Sequence, residues 1–275
     1  MPESAAPVPA IELREVTASS GGYEMLKEAS VAFPEGLCSA VMGAAGSGKS
    51  TLLKVAAGLV VPDSGSIMVR GENMGRFSRK DELAFRAATG FVFQDAALWA
   101  DTNIMGNVAM PLRVHKPRTG EKAISEAVRS LLSSLGYDES LTIRPAELSA
   151  GEQKLVSIAR AVIHEPSIIF MDDPTSNLDE DAAERVFSLL DELKARRKTI
   201  IVVANSSDLA YRYADRLGVL KGGAMAAFGT YEDTVSRAEA ALSGSLARLK
   251  ARGTRVRSCA DGSGTGAENS QRGDV

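Results

Sequence analysis

The chain has 275 residues, of which 24% are charged, and its formal net charge is −3. This length allows one α/β domain with an inserted subdomain, and the near balance of charges argues against a nucleic-acid partner without excluding one. No apolar run of the sequence is long enough to span a membrane, and the N-terminal MPESAAPVPA lacks the regions of a signal peptide, so we expect a cytoplasmic protein.

Four short apolar runs rich in β-branched residues predict strands. They are LCSAVM at 37–42, FVF at 91–93, SIIFM at 167–171 and TIIVVA at 199–204. Their hydrophobicity is continuous rather than alternating, which is typical of strands covered on both faces. Because helical patterns alternate with these runs, we predict an α/β fold with a mostly parallel sheet between helices.

Helical patterns without a strong strand occupy about 95–150. The clearest is EKAISEAVRSLLSSLG, in which apolar residues recur at three- and four-residue spacing. We interpret this region as a helical subdomain inserted into the α/β domain. A further helix is predicted at about 231–252, and the small, polar segment 253–275 is predicted to be disordered.

The segment GAAGSGKST has the spacing of a phosphate-binding P-loop and lies between a predicted strand and a predicted helix. In such a loop, glycines let backbone N–H groups point at phosphate oxygens, a lysine adds a cation, and a serine hydroxyl binds Mg²⁺. A glycine turn without a ligand is the alternative. The predicted nucleotide-binding residues are Gly43, Ala44, Ala45, Gly46, Ser47, Gly48, Lys49, Ser50 and Thr51, and Ser50 is also a predicted metal ligand.

Two consecutive aspartates follow the third predicted strand, in SIIFMDD. Asp172 stands where a P-loop enzyme needs a carboxylate to hold the hydration shell of Mg²⁺. Asp173 stands where a general base could orient the attacking water. The alternative is an ordinary turn or helix-capping cluster before Pro174.

Taken in order, these motifs resemble the nucleotide-binding subunits of ATP-binding cassette (ABC) transporters, together with Gln94 after a strand and LSAGEQKLVSIARA at 148–161. The resemblance covers about 11–229. It implies an ATPase domain at 11–230 with ATP and Mg²⁺ as its ligands, in a head-to-tail homodimer or heterodimer. It also implies an integral membrane permease as a partner, and therefore a peripheral position on the inner face of the cytoplasmic membrane.

The same resemblance implies roles for further residues. Gln94 would link Mg²⁺ to the contact with the permease, as a metal ligand and catalytic residue. Ser149 and Gly151, in the signature segment LSAGE at 148–152, would meet the γ-phosphate held by the other subunit, although Ser149 also suits a helix N-cap. The segment 176–179 would form the D-loop. Tyr23 has two interpretations, a stacking partner for adenine or an ordinary loop tyrosine.

Five residues, at four places in the motifs, depart from the family pattern. Ala150 replaces the first signature glycine, and Lys154-Leu155 replaces the usual Gln-Arg pair. Asp173 replaces the catalytic glutamate, and a misplacement of about an ångström can cost on the order of a hundredfold in rate. Asn205 stands where a histidine usually contacts the γ-phosphate, and an amide cannot carry the proton of an imidazole. We therefore predict strong Mg-ATP binding with slow or asymmetric turnover.

The stretch after Gln94 carries the information on cargo. Its AALW and NVAMPLR resemble the ATPase of the Mla/Mce class of phospholipid transporters, which implies a lipid-binding Mce-type component as a further partner. NVAMPL and PTSNLD are also similar to the lipoprotein-releasing and macrolide-efflux class, which is the alternative. In Mla-type ATPases a C-terminal extension helps the subunits embrace; the helix predicted at 231–252 has that interpretation or is a loosely attached terminus.

Three other classes of cassette protein are alternatives for a chain with a P-loop and a signature segment. DNA-repair and chromosome-structuring ATPases need a long coiled coil, for which the sequence between Gln94 and Ser149 is too short and has no sustained heptads. Translation-factor cassette proteins carry two such domains on one chain. A non-catalytic regulatory cassette that uses ATP only to dimerise stays open, and the residues that favour it are Asp173 and Asn205.

Overall fold

The computed structural model of the protein describes residues 8–205 and 207–237, which contain ten strands and eight α-helices. The strands are β1 (Ile11–Ser20), β2 (Tyr23–Phe33), β3 (Cys38–Met42), β4 (Ser64–Val69), β5 (Glu72–Asn73), β6 (Thr89–Val92), β7 (Ile168–Asp172), β8 (Thr199–Val203), β9 (Arg216–Lys221) and β10 (Ala224–Thr230). The helices are α1 (Lys49–Ala56), α2 (Arg79–Ala88), α3 (Ile104–His115), α4 (Glu121–Ser134), α5 (Ala150–Val162), α6 (Glu180–Ala195), α7 (Ser207–Tyr213) and α8 (Tyr231–Arg237).

The central sheet has six strands in the order β10-β9-β3-β8-β7-β6 and is parallel except for the antiparallel pair of β9 and β10. Every residue of β3, β7 and β8 is buried. In β7, Ile169 and Met171 join one apolar cluster and Phe170 joins the other. Both faces of the sheet are therefore covered, and the prediction of a mostly parallel α/β fold is confirmed.

A second sheet, which the sequence analysis did not predict, is antiparallel and has the order β2-β1-β4-β5. Its register shifts along β1, where Glu15 has a left-handed backbone with φ of 50°. Such β-bulges interrupt the two-residue period by which a half-buried strand is recognised in a sequence. Buried residues of this sheet pack with Leu52 and Leu53 of α1, so the sheet covers the helix that follows the P-loop.

Helices α3 and α4 lie between β6 and β7 in the chain and share an apolar cluster with α5. The buried residues that α3 and α4 contribute include Ile104, Val108, Leu112, Ile124, Val128 and Leu132. Helix α5 in turn lies against β6, where a Cβ on Gly90 would collide with the carbonyl oxygen of Ala161. The close approach that glycine allows here ties the helical region to the edge of the central sheet.

Helix α8 begins where the C-terminal helix is predicted. Its Thr234 is buried and donates a hydrogen bond of 3.1 Å from Oγ1 to the carbonyl of Leu217 in β9. The rest of the helix predicted at 231–252 and the whole segment 253–275 lie outside the described residues, and the predicted domain limits remain predictions. Within the described part of the chain, no helix has both the length and the apolar character needed to cross a membrane.

Candidate functional site

The predicted P-loop connects the end of β3 to the start of α1. Gly48, immediately before α1, has a left-handed backbone with φ of 96°, and a Cβ there would collide with the carbonyl oxygen of Met25. A Cβ on Gly43 would collide with the carbonyl of Leu220. Only glycine fits both positions, because the loop is wrapped closely by neighbouring backbone.

Lys49 lies inside this loop. Its Nζ donates hydrogen bonds of 2.9 Å to the carbonyls of Gly43 and of Ala44, and the residue is buried. Burial lowers the pKa of Lys49, and the nearby carboxylates of Asp172 and Asp173 act in the opposite direction. The loop thus places an ammonium group at the point where its backbone curls around a ligand.

The hydroxyl of Ser47 provides a test of whether phosphate fits the loop. Its Oγ is buried, and among residues 8–205 and 207–237 no hydrogen-bond partner lies within reach of it. Buried hydroxyls in proteins are normally hydrogen-bonded. A phosphate oxygen in the loop would accept this hydrogen bond, so the residues present fit a bound nucleotide.

Ser50 and Asp172 come together from distant parts of the chain. The Ser50 Oγ donates a hydrogen bond of 3.1 Å to Oδ1 of Asp172, at the end of β7. Burial raises the pKa of Asp172, and the bond from Ser50 opposes this shift. Hydroxyl and carboxylate oxygens are the ligands that Mg²⁺ prefers, so the pair fits the metal that accompanies ATP.

Asp173 and Asn205, the two departures from the family pattern that concern hydrolysis, contact each other. Nδ2 of Asn205 donates a hydrogen bond of 2.9 Å to Oδ2 of Asp173. Asp173 has a left-handed backbone with φ of 49°, and its N–H donates to the carbonyl of Val203 at 2.9 Å. The short carboxylate is therefore held from both its backbone and its side chain.

The signature segment forms the start of α5. Ser149 caps this helix, since its Oγ accepts from the N–H of Glu152 at 3.2 Å and also donates to the Glu152 carboxylate at 2.6 Å. A Cβ on Gly151 would lie 2.9 Å from the carbonyl of Asn177, in the predicted D-loop. Among the described residues, no hydrogen bond joins Ser149 to the P-loop. Tyr23, at the start of β2, is 77% exposed, and both of its interpretations stay open.

Two cations of α5 hold the loop at 93–97, which contains Gln94, and neither is among the predicted site residues. Lys154 Nζ donates to the carbonyls of Phe93 at 3.0 Å and of Gln94 at 2.6 Å. The guanidinium of Arg160 donates to the next carbonyls along the loop. The signal that could have revealed them is their position among apolar residues of an amphipathic helix, where a long charged side chain needs a buried partner.

A groove of about 520 Å³ opens beside the same loop. We call it the aromatic groove, and its lining includes Phe91, Phe93, Trp99, Met110, Arg160 and His164. The backbone of Trp99 is fixed by the fully buried Asn107, whose Oδ1 accepts a hydrogen bond of 2.9 Å from the backbone N–H of Trp99. The AALW stretch therefore forms one wall of an open apolar surface as well as packing the helical region.

A family profile described as ABC transporter matches residues 26–176. The chain belongs to the ABC transporter family. It is an ATP-binding subunit of that family, and the family's cassettes are ATPases.

Two curated ABC proteins are similar to the chain over most of its length. The lipoprotein-releasing system ATP-binding protein LolD of Psychrobacter arcticus is 39% identical over 186 residues, which cover 67% of this chain and 81% of LolD. The ABC transporter ATP-binding protein YxdL of Bacillus subtilis is 36% identical over 202 residues, 73% of this chain and 78% of YxdL.

Solved ABC structures share the fold. The dimeric post-hydrolysis state of the ATP-binding cassette MJ0796 bound to ADP and Pi has a TM-score of 0.74 and 28% identity, and the match covers 80% of this chain and 98% of that one. A second dimeric structure of MJ0796 matches with a TM-score of 0.74 and 29% identity over the same shares of both chains. In this ABC ATPase the fold brings the P-loop, Asp172, Asp173 and Asn205 close together.

Proposed function

We propose that this ABC ATPase binds Mg-ATP at its P-loop and couples ATP hydrolysis to a membrane permease of the lipoprotein-releasing type. The observation that carries the nucleotide assignment is the hydrogen bond of 3.1 Å between Ser50 Oγ and Asp172 Oδ1. Two oxygen ligands in contact beside a P-loop suit hydrated Mg²⁺. No such pairing is needed by a glycine turn that merely connects a strand to a helix.

Different groups of the P-loop would contact different parts of the triphosphate. Backbone N–H groups of the P-loop and of the start of α1 would donate to the phosphate oxygens. The ammonium of Lys49 exchanges its bonds to the Gly43 and Ala44 carbonyls for stronger bonds to phosphate. When bound, Mg²⁺ neutralises charge on the phosphate oxygens. Gln94 is proposed as a further ligand of the metal.

Turnover is proposed to be slow because of the pair formed by Asp173 and Asn205. Asp173 is the base that would orient the attacking water, and one of its oxygens already accepts a hydrogen bond from Asn205. That bond draws electron density from the carboxylate, and the shorter side chain holds it farther from the phosphate. Binding and hydrolysis are thereby separated in this site.

The proposed partners are a second ABC subunit and an integral membrane permease. The two dimeric structures of MJ0796 support a dimer, in which Ser149 and Gly151 of one subunit would meet the ATP of the other. The aromatic groove beside Gln94 has the apolar lining that a helix of a permease requires. We therefore place the protein at the inner face of the cytoplasmic membrane, attached through its permease.

The lipoprotein-releasing class is proposed because of the similarity to LolD, at 39% identity. The phospholipid class suggested by AALW and NVAMPLR has no support among the relatives described above, and neither does a Mce-type component. The stretches NVAMPL and PTSNLD are similar to the lipoprotein-releasing and macrolide-efflux class, which was the alternative interpretation of the sequence. Cargo is chosen by the permease, so a similarity of the ATPase supports this assignment indirectly.

The nucleotide assignment is tested by measuring ATP affinity and steady-state hydrolysis for the purified full chain, with Lys49→Ala as the inactive reference. We expect tight Mg-dependent binding and a low rate that exceeds the rate of Lys49→Ala. Hydrolysis that equals the reference while ATP still drives dimerisation would instead support the second candidate function, a regulatory cassette. The contact between Asn205 and Asp173 is the observation that favours that candidate.

The cargo assignment is tested with the chain and its co-purified permease in phospholipid vesicles. We expect ATP hydrolysis to rise when a triacylated lipopeptide is added. ATP hydrolysis that depends on the phospholipid composition of the vesicles and does not respond to the lipopeptide would instead support the phospholipid class.

A further inference from the structure

Two cations of helix α5 donate hydrogen bonds to backbone carbonyls of the loop at 93–97. Lys154 Nζ donates to the carbonyls of Phe93 and Gln94, and Arg160 donates from Nη2 to Ala96 and from Nη1 to Ala97, each at 2.9 Å. Four of the five carbonyls of this loop are therefore held by one helix. The arrangement joins the signature segment, at the start of α5, to the loop that contains Gln94.

Lys154 is the more informative of the two cations because it is almost completely buried, with 1% of its surface exposed. Burying an ammonium group is costly unless hydrogen bonds compensate. Here two backbone carbonyls accept hydrogen bonds from Nζ, and the carboxylates of Asp173, Asp172 and Asp95 favour its charge from beyond direct contact. Because a buried charge has a high desolvation cost even when it is hydrogen-bonded, a lysine at this position points to a role in fixing the loop that accepts its bonds.

The backbone of the loop at 93–97 has an unfavourable conformation, which requires stabilising contacts. Ala96 and Ala97 both have left-handed backbones, with φ of 60° and 46°, which non-glycine residues adopt rarely. Helix α5 lies directly on β6 at Gly90, so little slack exists between the helix and the strand that enters the loop. Under these conditions the bonds from α5 decide where the carbonyl of Gln94 lies.

We propose that Lys154 is a positioning residue, which holds the backbone of Gln94 so that the Gln94 side chain reaches the metal and the attacking water. This inference rests on the proposed function of Gln94. Lys154 lies five residues after Ser149, about 7.5 Å along the helix. A shift of the signature segment on contact with a second subunit would therefore reach the Gln94 carbonyl directly through Lys154, while Arg160 acts on the neighbouring carbonyls.

The first test is amide hydrogen exchange of the full chain without nucleotide, comparing wild type with Lys154→Met. The N–H groups of Ala96 and Ala97 are hydrogen-bonded within the loop, to Phe93 and Asp95. We expect peptides over 93–99 to exchange at least about fivefold faster in the variant, and peptides over the P-loop to be unchanged. This measurement needs no activity.

The second test measures hydrolysis as a double-mutant cycle with Gln94→Ala. Lys154→Met is expected to lower kcat about tenfold and to raise the Mg²⁺ concentration needed for half-maximal rate, with KM for ATP within about twofold of wild type. In the Gln94→Ala background, Lys154→Met is expected to change kcat by less than about twofold, because the residue through which it acts is gone. Lys154→Gln, which can still donate to one carbonyl, should restore part of the rate.

Lys194→Met is the matched control. Lys194 also donates from Nζ to a backbone carbonyl, that of Tyr213, and in addition pairs with Asp215 at 3.1 Å; it lies on α6 rather than on α5. Its substitution should lower stability without changing exchange in the loop or the Mg²⁺ dependence.

The proposal is wrong if loop 93–97 exchanges as in wild type, or if the losses from Lys154→Met and Gln94→Ala multiply. It is also wrong if Lys154→Met and Lys154→Gln both fail to fold while Lys194→Met folds, since Lys154 would then act only in the core. Failure of the proposed function looks different: wild type would hydrolyse ATP no faster than Lys49→Ala, while the exchange result would still stand.

Discussion

The P-loop and the pair formed by Asp173 and Asn205 are two parts of one site, and they are built differently. In the P-loop, a Cβ on Gly43 or on Gly48 would collide with neighbouring backbone, so only glycine fits these two positions. At the second part, a 2.9 Å hydrogen bond joins two side chains that both depart from the family pattern. The proposed phosphate site thus depends on the backbone shape of the loop and on Lys49, whereas the proposed site of water activation depends on a pair of hydrogen-bonded side chains.

This contrast implies that the two functions respond separately to substitution. Changes in the P-loop should remove binding and hydrolysis together. Changes at Asp173 and Asn205 should alter the rate with little effect on affinity, because neither side chain holds the α- or β-phosphate.

The largest effect is expected from Lys49→Ala. Removing the ammonium group deletes charge-assisted bonds to phosphate, so ATP affinity should fall at least about tenfold and hydrolysis about a hundredfold. Isothermal titration and a phosphate-release assay measure the two quantities. Lys80→Ala, at an exposed lysine of α2, is the control and should match wild type. Unchanged affinity in Lys49→Ala would mean that the loop does not hold phosphate.

A gain is expected from the double substitution Asp173→Glu and Asn205→His. Lengthening the carboxylate and replacing its amide partner should together raise kcat about tenfold to a hundredfold. Because the two side chains share a hydrogen bond, we expect the two single substitutions to raise kcat by factors whose product is smaller than the gain of the double variant. A double-mutant cycle under saturating ATP measures this coupling. Single effects that simply multiply would show that the bond between them does not limit the rate.

Asn107→Ala tests the helical region, away from the P-loop. The buried amide also donates to the carbonyls of Trp99 and Thr102, at 3.1 and 2.9 Å. Leaving these groups unsatisfied should lower the free energy of unfolding by about 1–3 kcal/mol, seen as a lower Tm. ATP affinity should stay within about twofold of wild type. A large loss of affinity would contradict the separation of the two regions, and Asn103→Ala, at the cap of α3, is the control for a purely local loss.

The smallest effect is expected on acidification at His164, in the aromatic groove. Burial lowers the pKa of His164, and His115, Lys116 and Lys198 lower it further. A group with a depressed pKa in the folded protein stabilises the fold fully above its ordinary value of 6.5, and this contribution is lost as the pH falls below it. We therefore expect Tm to fall between about pH 7.5 and about pH 5.5, and to fall less in His164→Gln. Equal falls would show that His164 does not control this change.

Helices and strands were easier to predict from the sequence than long-range side-chain contacts. The strands with continuous hydrophobicity, β3, β7 and β8, were predicted within one or two residues of their ends. The antiparallel sheet was missed because the bulge at Glu15 breaks its alternation. The roles of Lys154 and Arg160 were missed because their partners are backbone carbonyls, which no sequence pattern identifies.

By itself, the sequence determined the phosphate-binding loop and the class of fold. These depend on residues that are adjacent in the chain, since a strand, a glycine loop and a helix follow one another from Cys38 to Ala56. Only the tertiary structure decided that Asn205 bonds to Asp173, across 32 residues, and that Lys154 bonds to Gln94, across 60. Such contacts depend on the order of strands in the sheet and the packing of α5 on β6, and neither is encoded in local spacing.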